Sequence, residues 1–333
     1  MNSLQEYLPK FNGQNILVLG DMIADEFIYG QPERISREAP VLILEEQDSE
    51  ILPGGGTNAA NNVADLGGQV YLAGVIGDDR VGRNLTQQLN QSGIKTEGLM
   101  IDNSRPTAVK TRILAGGEET VKQQVVRVDN LETHAISEEI EAKLMSYIEE
   151  VISEIDAILL SDYGNGVFTD SLKQKIIKLA NNNDKLITVD SRYSLKTFKG
   201  VTIATPNREE VEEAVGFELD QPAKIEEAGK KLRQEIEADA MLVTLGGEGM
   251  QVFTDEDSTH IPPSNYAEVY DVTGAGDTVI GTLTLALASG ASMVEAMKLS
   301  NYAAGIVVRK IGVATTNQEE LIVAMEESDQ NEK

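Results

Sequence analysis

The stretch Ala157-Ile-Leu-Leu-Ser161, followed by a helix-like run over 170–182 and then Leu186-Ile-Thr-Val-Asp190, decides how the chain is read. Each outer run is short, apolar and bounded by polar residues, as a strand buried on both faces should be. A strand, a helix and a second strand in that order make a βαβ unit, whose strands run parallel. The same rhythm extends outward. Asn15-Ile-Leu-Val-Leu-Gly20 precedes it, and Val201-Thr-Ile-Ala-Thr205 and Ala240-Met-Leu-Val-Thr-Leu245 follow. Helix-like stretches lie at 57–66, 82–92, 137–153 (with Ser137 as N-cap) and 223–237. The last third reads as helices over 276–289, 293–309 and 317–327, ending in a polar tail, SDQNEK, expected to fray. The expected class is α/β, with a mostly parallel central sheet covered on both faces.

Two segments break the rhythm. Residues 40–52 (PVLILEEQDSEIL) and 106–128 (PTAVKTRILAGGEETVKQQVVRV) carry β-branched residues around charged or turn-like centres, the second with Gly116-Gly117 in its middle. With no helix beside them, they are expected to pair as a small antiparallel sheet off the main body, a lid. Exposed lid edges are also where two copies of the chain are expected to meet as a homodimer.

Composition narrows the function. The 333 residues hold 28 basic and 55 acidic side chains, a net charge of −27, with no Cys and only two His, His134 and His260. Absence of cysteine excludes disulfides, thiolate metal sites and a Cys nucleophile. The charge argues against nucleic acid or an anionic membrane as partner, since both need a cationic face. MNSLQEYLPKFNGQN lacks the basic and apolar regions of a signal peptide, and no apolar run approaches the roughly 20 residues of a membrane span. A cytoplasmic location is the expectation.

The segment richest in chemistry is Asp271-Val-Thr-Gly-Ala-Gly-Asp277-Thr-Val-Ile280, where irregular backbone enters a helix of small and apolar residues. Gly274, Ala275 and Gly276 let backbone N–H groups turn toward an anion, and the helix dipole adds positive potential. Asp277 could take a proton from an attacking hydroxyl, or could simply cap the helix. Gly54-Gly55-Gly56-Thr57-Asn58 also leads into a helix, either as a ligand cradle or as a hinge. Asp21 stands just past the first strand, where open α/β sheets bind their ligands. Asn207 and Glu210 have the spacing of a capping box as well as of a ligand pair. Thr244-Leu-Gly246-Gly-Glu-Gly249 suits a nucleotide lying against backbone, or a plain turn. No G-x-x-x-x-G-K-[ST] or G-x-G-x-x-G is present, so a nucleotide would be held outside those schemes.

In this order and spacing, the elements resemble the ribokinase-like (PfkB) carbohydrate kinases over residues 14–325. Within them the chain looks most like the kinase domains that act on D-glycero-β-D-manno-heptose 7-phosphate. That likeness rests on Arg34-Ile-Ser-Arg-Glu-Ala-Pro40, Leu160-Ser-Asp-Tyr-Gly164, Tyr270–Ile280 and Asn301-Tyr-Ala-Ala-Gly-Ile-Val-Val308. Thr107, Lys110, Arg112, Arg127 and Asp129 also fit. Departures are Asp25-Glu-Phe-Ile-Tyr-Gly30 in place of a basic and aromatic pair, Ser191-Arg192 in place of Pro-Lys, and Gly56-Thr57 in place of Ala.

The resemblance implies a single three-layer α/β/α kinase domain over 1–333 with a β lid, and no adenylyltransferase domain in this chain. It implies ATP-dependent phosphorylation of the heptose phosphate at its anomeric hydroxyl to the 1,7-bisphosphate. Asp277 would be the base, and Gly274, Ala275 and Gly276 the anion hole. Asp21, Gly54, Gly55 and Asn58 would bind the sugar. Lys110, Arg112, Arg127 and Arg192 would meet the substrate phosphate, or form surface ion pairs. Asn207, Thr244, Gly246, Gly249 and Asn301 would line the nucleotide, and Glu210 would order Mg²⁺ through water. Asp271 and Thr273, with Gly312 and Thr316, resemble a monovalent-cation (K⁺) site. The alternatives are a PfkB kinase for ribose, fructose or a fructose phosphate, and a non-catalytic sensor on the same fold.

Overall fold

The computed structural model describes residues 3–117, 122–264 and 269–331. Strand β1 (Asn15–Ile35) is the spine of the molecule, and its two halves belong to different sheets. The first half lies between β3 (Gln69–Ile76) and β7 (Ala157–Asp162), parallel to both. Outward on one side comes β4 (Lys95–Ile101); on the other come β8 (Leu186–Ser191), β9 (Ile203–Ala204), β10 (Ala240–Thr244), β11 (Met250–Phe253) and β12 (Ser258–Ile261). Only the pairings β10–β11 and β11–β12 are antiparallel, so the expected mostly parallel sheet is present.

Alternation along β1 makes three layers. Ile16 and Val18 face one core, with α1 (Leu8–Phe11), α2 (Gly56–Asp65), α3 (Arg80–Gln91), α8 (Ala275–Ala288), α9 (Met293–Val307) and α10 (Gln318–Asn331). Leu17 and Leu19 face the other, with α4 (Glu138–Val151), α5 (Asp170–Asn182), α6 (Arg208–Val215) and α7 (Pro222–Glu235). Helix α4 begins as its sequence suggests, with the Ser137 hydroxyl accepting from Ile140 N at 3.3 Å. At the C-terminus α10 runs on through residues 328–331 of the expected polar tail, whose residues 332–333 lie outside the described residues.

The lid also differs in one respect. Strands β2 (Leu42–Gly55), β5 (Ala108–Ala115) and β6 (Gln123–Asn130) match the two expected segments, but β2 and β5 do not pair with each other. Both pair with the second half of β1, β2 antiparallel and β5 parallel, and β6 closes the edge antiparallel to β5. The lid is therefore a mixed sheet growing directly out of the central one. Residues 118–121 of the expected 106–128 lid segment lie outside the described residues. Among the described residues, no helix is long and apolar enough to cross a membrane.

Candidate active site

The middle of β1, the ends of β7 and β8, the starts of α2 and α8, and the inner face of the lid converge on Asp277. Its carboxylate is 3% exposed; Oδ2 accepts from Asn58 Nδ2 at 2.7 Å and Oδ1 from the Tyr163 hydroxyl at 2.9 Å. Burial pushes its pKa up to about 6, with Asp25 adding to the rise, while the two donors and Lys110 pull it down. A carboxylate that titrates near neutrality is suited to accept a proton.

Gly274 precedes α8 with φ 78°, a left-handed conformation glycine adopts without strain. A side chain there would also collide with Asn58 Nδ2, since a Cβ would stand 2.7 Å from it. The Ala275 N–H donates to Val272 O at 3.2 Å, so that amide is already engaged within the turn. Among the described residues the Gly274, Gly276 and Asp277 amides have no backbone acceptor, so two of the three expected anion-hole amides stay open and the Asp277 amide joins them.

Asp21, expected to bind the sugar, is 1% exposed, and its Oδ2 accepts from Tyr163 N at 2.7 Å and Asn165 N at 3.0 Å. Its Oδ1 has no partner, and burial raises its pKa to about 6, aided by Asp162 and opposed by the Asn165, Tyr163 and Val167 amides. Gly54 lies against Asp25, whose Oδ2 would be 2.3 Å from any Cβ placed there. Gly55 turns into α2 at φ 51°, and the Thr57 hydroxyl closes the turn by donating to Gly54 O at 2.8 Å.

The lid registers bring the scarce cations to one face. Asp25 of β1 is opposite Lys110 of β5, and Arg112 of β5 is opposite Arg127 of β6. Arg112 is ion-paired with Asp25, both nearly buried, and Arg127 forks onto Asp129 at 2.9 and 3.0 Å. Lys110 has its pKa lowered by burial and by Arg192, Arg112 and Arg127, with Asp25 opposing. The other three expected cations thus all act on Lys110, and a dianion placed among them would relieve that repulsion.

The residues expected to line the nucleotide are more dispersed. Asn207 and Glu210 form a complete capping box on α6, with Asn207 N donating to Glu210 Oε2 at 2.8 Å and Glu210 N to Asn207 Oδ1 at 2.9 Å. Thr244 forms a bridge with Asn207, which joins the two motifs. Gly246 faces open space, whereas Gly249 packs so closely that a Cβ would lie 2.1 Å from Ile261 O. Asn301 Nδ2 donates to Pro262 O at 2.8 Å, fastening α9 to the 262–264 loop. The Asp271 carboxylate accepts from Thr273 N at 2.9 Å and Gly312 N at 3.0 Å, and the Thr316 hydroxyl donates to Glu320 at 3.0 Å. The first two bonds join Asp271, Thr273 and Gly312, whereas Thr316 is tied to α10 instead.

Three site residues were not singled out from the sequence. Tyr163 bonds to Asp277, and Asp25 holds Arg112. Asp190 faces Gly276, its pKa raised well above the carboxylate range by burial and by Glu210, Asp277 and Asp162. Asp190 is the penultimate residue of β8, where open α/β sheets place their ligands, so that position rule could have found it. Burial, opposed by the Asn207 amide and Arg192, raises Glu210. Among the described residues no three acidic or imidazole groups converge as a metal cage. The Asp190–Glu210 corner is nonetheless short of positive charge, which a divalent ion arriving with phosphates would supply.

Known proteins give the geometry its context. The profile of the pfkB family carbohydrate kinases matches residues 14–320. The bifunctional protein HldE of Desulfatibacillum aliphaticivorans is 39% identical over 312 residues, 93% of this chain and 63% of that protein. The protein of the same name from Helicobacter pylori strain J99 is 40% identical over 316 residues, covering 95% and 67%. This chain therefore spans about two thirds of the length of these relatives. Among solved structures, Arabidopsis thaliana ribokinase complexed with ribose and ATP superposes with a TM-score of 0.73 at 19% identity, over 94% of this chain and 98% of that one. On the family match over nearly all its length, with the fold to go with it, the chain belongs to the pfkB family of carbohydrate kinases, phosphotransferases that act on an alcohol group.

Proposed function

We propose that the chain transfers the γ-phosphoryl group of ATP to a sugar that already carries a phosphate, and that this sugar is D-glycero-D-manno-heptose 7-phosphate. The single observation that carries the reading is the pairing of a buried carboxylate, Asp277, with a lid face bearing Lys110, Arg112 and Arg127, next to Arg192. A neutral sugar has no use for such a cluster. The motifs shared with heptose 7-phosphate kinases, and relatives named HldE at 39–40% identity, support the choice of heptose.

In this reading the anomeric hydroxyl lies against Asp277 and gives it a proton as its oxygen attacks the γ-phosphorus. The bond to the β-phosphate oxygen breaks and ADP leaves. The Gly274, Gly276 and Asp277 amides meet the charge on the transferring group. Asp21, Gly54, Gly55 and Asn58 hold the sugar, and Thr244, Gly246, Gly249, Asn207 and Asn301 hold the nucleotide. Glu210 is the residue placed to order Mg²⁺ through water, and that ion would offset phosphate charge. Asp271 and Thr273, with Gly312 and Thr316, are assigned to a monovalent cation. The exposed edge of β6 supports pairing of two copies through the lid.

The test is ATP consumption over a panel of sugars and sugar phosphates with the wild-type chain. The heptose 7-phosphate should give the highest kcat/KM by at least about tenfold. Preference for ribose, fructose or fructose 6-phosphate would replace the substrate, and no turnover with any of them would leave the sensor reading.

A further inference from the structure

Tyr163 touches three parts of the site at once. Its main-chain N–H donates to Asp21 Oδ2 at 2.7 Å, its hydroxyl donates to Asp277 Oδ1 at 2.9 Å, and Lys110 Nζ lies 4.8 Å from its ring centroid. The turn that carries it is tightly specified: Gly164 and Gly166 take φ of 77° and 82°, and Gly164 N donates to Asp162 Oδ1 at 3.0 Å. Burial, together with Asp277, Asp190 and Asp25, holds the phenol's pKa well above its usual value of 10.0. The hydroxyl is therefore a donor at every working pH, and Asp277 is the acceptor it faces.

We propose that Tyr163 is a positioning residue, its hydroxyl fixing the carboxylate of Asp277 and its ring seating Lys110 beside the substrate. The proposal rests on reading Asp277 as the base. With one donor from Asn58 and one from Tyr163, each carboxylate oxygen is held, and the group cannot turn about its Cβ–Cγ bond without losing both. Each oxygen keeps lone-pair capacity for a substrate hydroxyl. The charged groups facing Asp277 are Asp25 from β1, Asp190 from β8 and Lys110 from β5, two acids against one cation. Hydrogen bonds to the ionised form must supply what that balance lacks, and a phenol does so without adding a charge. The ring is a cation–π platform for Lys110, so one side chain orients both the proton acceptor and a phosphate-facing cation.

Two variants separate these roles. Tyr163→Phe keeps the ring and removes the hydroxyl, whereas Tyr163→Leu removes both. Carboxyl ¹³C NMR titration of the full chain, with the Asp277 signal assigned by its loss in Asp277→Asn, reads the effect without substrate. In Tyr163→Phe the Asp277 midpoint should rise by about 1 pH unit, the equivalent of one charge-assisted hydrogen bond. The acid limb of kcat/KM should move with it, while KM for the sugar phosphate stays within about twofold, because Lys110 keeps its platform. Tyr163→Leu should show the same midpoint shift and, in addition, a KM raised about fivefold or more. An unmoved Asp277 midpoint in a folded Tyr163→Phe chain overturns the positioning role, as does a lowered melting temperature with no change in titration. A wild type inactive on every sugar counts against the kinase reading alone, because the titration is read without turnover.

Discussion

Asn58 Nδ2 donates to Asp277 Oδ2 at 2.7 Å, joining the start of α2 to the start of α8 across 219 residues of chain. The link is reinforced behind it. Asn62 Nδ2 donates to Asn58 O at 2.9 Å, and the Thr278 hydroxyl donates to Asn62 Oδ1 at 2.8 Å. The glycine cluster at 54–56 and the Gly274–Asp277 turn, far apart in sequence, are thus two sides of one polar seam. A seam of fully paired buried groups fixes geometry better than any of its bonds taken singly.

Asp277→Asn should lower kcat by about 10³-fold with the fold intact, since loss of a positioned base removes that order of rate. ATP affinity, measured by calorimetry, should change little. In the wild type, kcat/KM should rise as Asp277 ionises through about pH 6 and level off above it. Comparable turnover in the mutant would remove Asp277 as the base.

Stability should fall as pH rises from about 4 to about 6. The folded chain retains protons on Asp21 and Asp277 in that window, their pKa values being raised to about 6 from 3.8, while the unfolded chain has released them. Calorimetric melting should therefore show a higher Tm near pH 5 than near pH 7. Asp21→Asn should flatten that difference and raise Tm at pH 7, because no charge is then left beside the unpartnered Oδ1 position. A profile unchanged by the substitution would mean that Asp21 does not titrate in this range.

Arg112→Ala should destabilise the lid by about 3 kcal/mol, because it leaves Asp25 buried without its partner. Asp25→Asn in the same background should recover part of that loss. Hydrogen exchange on β5 is the direct measurement, and equal protection in wild type and Arg112→Ala would show the pair to be energetically idle.

Reversing charge at Lys110 or Arg192 to Glu should raise KM for phosphorylated sugars by about tenfold or more and for unphosphorylated ones much less. Steady-state kinetics on matched pairs of sugars reads the difference. An equal effect on both would sink the substrate-phosphate role.

Much of this was legible in advance, for reasons that differ by element. The βαβ strands announced themselves because a strand buried on both faces must be uniformly apolar, as Ala157–Ser161 is. Four strands of the central sheet were not read: β4 and β12 mix polar and apolar residues at the sheet edges, β11 is only four residues long, and β3, as apolar and as buried as the strands that were read, was passed over. The second half of β1 was missed because Asp25, Glu26, Gly30 and Pro32 do not look like a strand; its apolar pattern is one-sided and it is held by β2 and β5. At the site, glycines and Asp277 signal themselves through local chemistry. Tyr163 and Asp25 matter only through contacts with distant residues, which no local pattern records. Asn207 and Glu210 show the reverse case, a spacing that served a helix cap as readily as a ligand.

The undivided course of β1 has a mechanical meaning. Its bonds to β3 end at Asp21 and its bonds to β2 begin at Met22, so sheet and lid change partners between adjacent residues of one strand. The lid has no slack tether at its root. It is a cantilever, and any swing must flex the strand where the partners change. Asp21, the acid assigned to the sugar, sits at that fulcrum. A ligand held by Asp21 would therefore bear on the same short piece of backbone from which the lid extends.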